Sequence, residues 1–81
     1  MTIQVLLFAS LAEQIQVRRL KIELSDNATV EEALQELCNR WPKFCELQDE
    51  LGLAVNHNYV SRSHVLNAGD ELALIPPVSG G

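Results

Sequence analysis

The apolar positions of this chain change period several times, and each change marks a predicted element. In residues 2–8, Thr-Ile-Gln-Val-Leu-Leu-Phe, β-branched and large apolar side chains run almost without a break. That predicts a strand with both faces covered, with Ile3, Val5 and Leu7 on one side and Gln4, Leu6 and Phe8 on the other. Residues 10–15 predict a short helical turn with Ser10 as its cap. Residues 18–24 alternate cleanly from Arg19 onward. Leu20, Ile22 and Leu24 would point inward and Arg19, Lys21 and Glu23 outward, so this is a half-exposed strand that can form a hairpin with the first. Beyond the turn cluster Ser25-Asp26-Asn27-Ala28 the period lengthens to that of a helix. Val30, Ala33, Leu34, Leu37, Cys38 and Trp41 make one apolar stripe. Thr29 and Glu32 stand at capping-box spacing before it, and Pro42 ends it.

The second half is shorter-grained. Residues 43–52 predict a short helix closed by Gly52. Leu53-Ala54-Val55-Asn56 predicts a short strand, His57-Asn58 a tight turn, and Tyr59-Val60 a brief edge strand behind it. Asn67-Ala68-Gly69-Asp70 is a turn, and residues 71–75 form a last strand with Leu72 and Leu74 on the core side. One long helix across one face of a mixed sheet buries this pattern most economically. The first and last strands are the most apolar and belong side by side at the sheet centre. The expected fold is therefore α+β, a β-grasp of about five strands with one main helix. Residues 1–75 form the domain and residues 76–81 an extended tail.

Composition narrows the function without naming it. At 81 residues, 47% apolar and 21% charged, the chain has the make-up of one folded domain. Its net charge of −5 and the lack of a basic stripe count against a nucleic-acid partner and favour a partner with a basic docking face. The two cysteines, Cys38 and Cys45, form no CxxC, and His57 and His64 complete no zinc spacing, so no metal is expected. Cys38 falls on the helix stripe and is expected to be a buried structural thiol. Cys45 could be reactive, although nothing nearby in sequence would lower its pKa. His57 and His64 fall in predicted turns and are expected to be solvated. Glu31, Glu32 and Glu36 form an exposed helix face without a pocket, and Trp41 closes the core at the helix end. No signal-peptide pattern, membrane-length run or disulfide framework is evident, so a soluble cytoplasmic protein is expected.

The candidate chemistry lies at the end of the sequence. The last strand runs into Pro76-Pro77-Val78-Ser79-Gly80-Gly81. Prolines cannot continue a ladder and hold an extended, stiff path. Six extended residues span about 20 Å, and two glycines remove side-chain bulk. Such a tail suits a narrow pocket in another protein, where its carboxylate meets that protein's chemistry. Beside its root, on the sheet face away from the helix, Leu6, Phe8, Ala73 and Ile75 would be uncovered, with Tyr59 near them. An apolar patch of that kind marks a partner interface, unless residues 9–17 fold over it.

The terminal Pro76-Pro77-Val78-Ser79-Gly80-Gly81 resembles the small subunits of molybdopterin synthases, a family of ubiquitin-like sulfur carriers. So do the opening Val5-Leu6-Leu7-Phe8-Ala9, the middle Ala54-Val55-Asn56 and the turn Gly69-Asp70-Glu71. The likeness covers essentially the whole chain. It departs where many members carry a basic residue and this chain has Ala12, before Glu13, so a salt bridge made there would be missing.

The resemblance implies that a separate activating enzyme adenylylates Gly81 with ATP. Sulfur from a donor protein then converts the glycine to a thiocarboxylate. The tail next enters the large subunit of molybdopterin synthase and gives its sulfur to cyclic pyranopterin monophosphate, and two carrier turnovers complete one molybdopterin. The implied assembly is a heterotetramer with its catalytic side chains on the large subunit. This chain has no GxxxxGK[ST] and no GxGxxG, so it is expected to bind no nucleotide or other cofactor itself. Delivery of sulfur to thiamin synthesis or tRNA thiolation is an alternative within sulfur carriers. A protein modifier joined to lysines would use the same adenylylated glycine, and a plain interaction domain would have an idle tail.

Overall fold

A computed structural model describes residues 1–77 of the chain. The expected tail residues Val78, Ser79, Gly80 and Gly81 lie outside the described residues. Strand β1 (Thr2–Leu7) leads into helix α1 (Ala9–Ile15) and strand β2 (Arg19–Glu23). Helix α2 (Val30–Arg40), helix α3 (Pro42–Leu47) and a 3-10 turn (Gln48–Glu50) follow. Strands β3 (Gly52–Val55), β4 (Asn58–Tyr59) and β5 (Glu71–Ile75) complete one sheet in the order β2-β1-β5-β3-β4. β1 and β5 pair in parallel, with Leu6 beside Ala73, and every other pairing is antiparallel. This is the β-grasp arrangement, with the two most apolar strands adjacent and inside the sheet.

The core lies between the sheet and the helices. Ile3, Val5, Ile22, Leu72 and Leu74 from the strands meet Val30, Ala33, Leu34 and Leu37 of α2, with Leu11 and Phe44 also buried. The capping box forms as the spacing predicts: the Glu32 amide donates to the Thr29 hydroxyl at 3.3 Å, and the Thr29 amide to the Glu32 carboxylate at 3.0 Å. The segment after β4 is tied across this helix start. The Val30 amide donates to the His64 carbonyl and the Leu66 amide to the Ala28 carbonyl, which carries Leu66 into the core.

Four sequence expectations shift. Ser10 does not cap α1. The helix begins at Ala9, whose φ is +50°, and the Phe8 carbonyl accepts the Leu11 and Ala12 amides. Leu11 and Ile15 must both reach the core, which starts the helix directly after β1. Gly52 does not close a helix but opens β3 opposite Ile75, the preceding 3-10 turn being capped by Leu51. Pro42 ends α2 and also begins α3, where its missing amide costs no hydrogen bond. The hairpin turn is Asn56-His57, one residue earlier than expected, and β4 is Asn58–Tyr59 rather than Tyr59-Val60. Asn56 and His57 both have positive φ, +50° and +75°. Positive φ at both central residues is what a type I′ hairpin turn requires, and its twist matches that of the flanking strands.

Candidate functional site

Pairing register places one row of side chains across the outer sheet face. Opposite residues in a ladder project to the same side, so Arg19 of β2, Leu6 of β1, Ala73 of β5, Ala54 of β3 and Tyr59 of β4 follow one another edge to edge. The neighbouring row toward one end is Lys21, Gln4 and Glu71. Toward the other end Ile75 stands beside Gly52, and Phe8 is held there by its amide donating to the Leu74 carbonyl. Side-chain bulk is small at Gly52, Ala54 and Ala73, so the centre of the face is sunken. Leu6, Phe8, Tyr59, Ala73 and Ile75, the five residues expected from sequence, all line this one concavity, with Ala54, His57 and Glu71 completing it.

No helix covers it. Leu11 and Ile15 of α1 point into the core, while Ala12, Glu13 and Gln16 border a separate hollow at the Leu6 and Phe8 edge of the patch. Phe8 is left 45% and Tyr59 78% exposed. Apolar surface kept uncovered in a chain this short removes stabilisation that burial would supply at about 25 cal/mol per Å².

The tail root leaves the end of β5 near this patch. Pro76 is half-buried and Pro77 exposed. Both line a groove whose walls are Ser10, Leu11 and Gln14 of α1 and Leu47, Glu50 and Leu51 from α3 and the segment after it. The root thus lies between two pieces of ordered backbone.

A polar clamp fixes the other end of β5. Asp70, only 8% exposed, accepts the Asn56 side-chain amide at 3.0 Å and the Asn67 backbone amide at 2.8 Å. The Asn56 side-chain oxygen Oδ1 in turn accepts the Glu71 backbone amide at 3.1 Å. Asn56 therefore joins the β3–β4 turn to the start of β5, and sequence reasoning gave neither Asn56 nor Asp70 a role. A turn asparagine followed by a turn aspartate one strand later was the available signal. Gly69, at φ +84°, makes the sharp bend between them.

The Arg62 guanidinium bonds Glu31 at 2.9 Å, Asp49 at 3.2 Å and Gln48 at 2.8 Å. Arg62 thereby ties the start of α2 to the 3-10 turn. Glu36 pairs with Arg40 at 3.4 Å, so the acidic helix face is engaged in local contacts. His57 is exposed at the patch rim and His64 is half-buried. Trp41 is half-buried at the end of α2 and packs against the core. Cys38 is half-buried rather than fully buried, and Cys45 is exposed. Burial, reinforced by the neighbouring Cys45 thiol, pushes the Cys38 thiol from its ordinary value up to about 11. Among the described residues no three His, Cys, Asp or Glu side chains are grouped to hold a metal ion. No helix among them is long and apolar enough to cross a membrane.

Comparison with known proteins extends this geometry. The sequence pattern of the ThiS family matches residues 5–81. The molybdopterin synthase sulfur carrier subunit of Arabidopsis thaliana is 38% identical over 98% of this chain and 82% of its own. Small archaeal modifier protein 1 of Haloferax volcanii is 37% identical over 93% of this chain and 95% of its own. The crystal structure of the Haloferax protein superposes with a TM-score of 0.90 at 32% identity, covering 100% of both chains.

Proposed function

The chain belongs to the ThiS family, and from that premise we propose that it is a sulfur carrier for molybdopterin synthesis whose working group is the Gly81 carboxyl. The observation that supports this most is the coincidence of the two sites. The strand that leads to the Gly-Gly tail is also the strand that forms the middle of the uncovered apolar face. A protein that docks on that face is at once within reach of the tail.

The chemistry follows from the carboxylate. A free carboxylate resists nucleophiles because its charge and resonance disfavour attack. An activating enzyme removes that resistance by joining Gly81 to the adenylyl group of ATP, with pyrophosphate leaving. A persulfide of a donor protein displaces AMP to give an acyl disulfide, and a second thiol then cleaves its S–S bond, leaving the thiocarboxylate on Gly81 and a disulfide on the donor side. The tail, stiffened by Pro76 and Pro77 and unobstructed at Gly80 and Gly81, then enters the large subunit of molybdopterin synthase. There the sulfur passes to cyclic pyranopterin monophosphate. Leu6, Phe8, Tyr59, Ala73 and Ile75 form the docking face. This chain supplies the sulfur, and its partners supply ATP binding and catalytic side chains.

Mass spectrometry of the C-terminal peptide from protein isolated from its own cells tests the reading. The mass change must be localised by fragmentation, because replacing oxygen by sulfur adds nearly the mass of an oxygen and Met1 or a cysteine can oxidise. Sulfur on Gly81, together with loss of cofactor synthesis on deleting Gly81 from a chain that still folds, is the expected result. Full cofactor synthesis without Gly81 would sink it. The 37% identity to a small archaeal modifier protein favours a second reading, attachment of Gly81 to lysines of other proteins. Isopeptide-linked Gly81 in digests of those cells would establish it.

A further inference from the structure

The β2 edge of the outer sheet face is cationic, while Glu71 stands across the sheet in the row of Lys21 and Gln4. The chain carries a net charge of −5 and only six lysines and arginines. Three of those six, Arg18, Arg19 and Lys21, lie within four residues at the β2 edge. None of the three is within 4.0 Å of a carboxylate among the described residues, whereas Arg40 and Arg62 are each paired. Register puts Arg19 directly beside Leu6, and Lys21 beside Gln4, on the same face as the apolar concavity. A second hollow continues from that concavity over Leu6 and Phe8 to Ala12, Glu13, Arg18 and Arg19. The apolar centre thus has a cationic flank on β2. Across the sheet the exposed Tyr59 closes the other edge.

We infer that this flank is a recognition element: the face docks a partner surface with an apolar centre and carboxylates along the rim that lies over β2. Charge complementarity makes the argument. An acidic protein is steered by its overall field toward basic surfaces in any orientation. A local patch of opposite sign rewards one orientation and penalises its reverse, because like charges would then meet. Orientation matters here because the tail leaves from one end of β5, and only a fixed docking angle brings it to a fixed entrance. The inference rests on the carrier reading for the choice of partner.

The test follows association of the full chain with the adenylylating enzyme of its own cells, at low and high salt. Arg19→Glu/Lys21→Glu is compared with Arg40→Glu/Lys43→Glu, which changes net charge equally but lies on α2 and α3. The β2 pair is expected to slow association by about tenfold or more at low salt, and the α2/α3 pair by about twofold or less. If the β2 reversal fails to fold, Arg19→Gln/Lys21→Gln replaces it, with about a threefold loss expected.

Equal effects from the two pairs would make the result one of net charge and overturn the inference. So would unchanged association of the β2 variant while Phe8→Ser loses binding, an outcome that leaves the carrier reading standing. Self-association of the neutral variant with unchanged partner binding would also overturn it, because the cations would then only guard a sheet edge. Failure of the unmodified chain to be adenylylated at all removes the carrier reading, and the inference with it.

Discussion

The two faces of one sheet are made from alternate residues of the same strands and have opposite fates. In β5, Leu72 and Leu74 are 0% exposed beneath the helices, while the alternate residues Ala73 and Ile75 are left partly open. In β1, Ile3, Val5 and Leu7 are buried and Leu6 is half-open. Hydrophobicity alone does not separate the two sets, since Leu6 and Ile75 are as apolar as any core residue. What separates them is cover, because α1, α2 and α3 all contribute to a single core on one side. A small domain has one layer of helix to place, and the face it leaves bare is available for binding.

The sharpest way to break this comparison is to substitute one residue on each face. Leu74→Ala should cost about 3–4 kcal/mol, the cavity cost of a fully buried leucine. That is a large part of the roughly 5–15 kcal/mol that holds a domain together. Phe8→Ser, on the open face, should change stability by about 1 kcal/mol or less. It should nevertheless lower affinity for the partner by at least about tenfold, as loss of an aromatic anchor in an interface does. Urea unfolding and partner titration measured on both variants decide the matter. A Phe8→Ser chain as destabilised as Leu74→Ala would mean that the open face is core after all.

A smaller effect is expected at the clamp that sets where β5 begins. Asp70→Ala leaves the Asn56 side-chain amide and the Asn67 backbone amide without their acceptor, a loss of about 1–3 kcal/mol. Asn56→Gly keeps the positive φ and removes the bridge, so it should lose about as much as Asp70→Ala. The double variant should lose much less than the sum, because the Asn56–Asp70 bond is then counted once. Additive losses in urea unfolding would show that the two residues act separately. Either variant should leave the apolar row of the outer face in register, which amide exchange across β1 and β5 can check.

Much of this division was legible in the sequence because it depends on period. Strict alternation in residues 20–24 and the helix stripe from Val30 to Trp41 assign faces without any knowledge of partners. The capping box was legible for the same reason, being local. The first and last strands declared themselves as neighbours through apolar content. The hairpin at Asn56-His57 was misplaced by one residue, because Asn-His-Asn offers two asparagines and only the long-range bonds to Asp70 and Glu71 select the first. Gly52 was read as a helix stop, since a glycine after a polar turn carries the same local signal whether a helix ends or a strand opens beside Ile75. Leu66 and the Arg62 ion pairs were invisible because they depend on segments 13 or more residues apart meeting in space. In the candidate site, five residues of the patch could be named from alternation. Ala54 could not, because its strand is too short to show which face it presents.

The covering helices carry the same contrast in chemical form. Cys38 of α2 lies half within the layer, and burial together with the Cys45 thiol pushes it up to about 11. Cys45 of α3 is exposed. The thiolate is the reactive form, and at pH 8 a thiol titrating near 11 is about one part in a thousand ionised. Iodoacetamide at pH 8 should therefore label Cys45 at least about tenfold faster than Cys38. Raising the pH toward 11 should bring Cys38 into reaction. The sign for stability is fixed by the same shift. The folded state holds the Cys38 proton more tightly than the unfolded chain does, so the contribution is complete below pH 9 and is lost as pH rises through about 11. Cys45→Ser should leave Cys38 slow to label at pH 8, because burial, the larger cause, remains. Fast labelling of Cys38 in that variant would assign its protection to the neighbouring thiol rather than to cover.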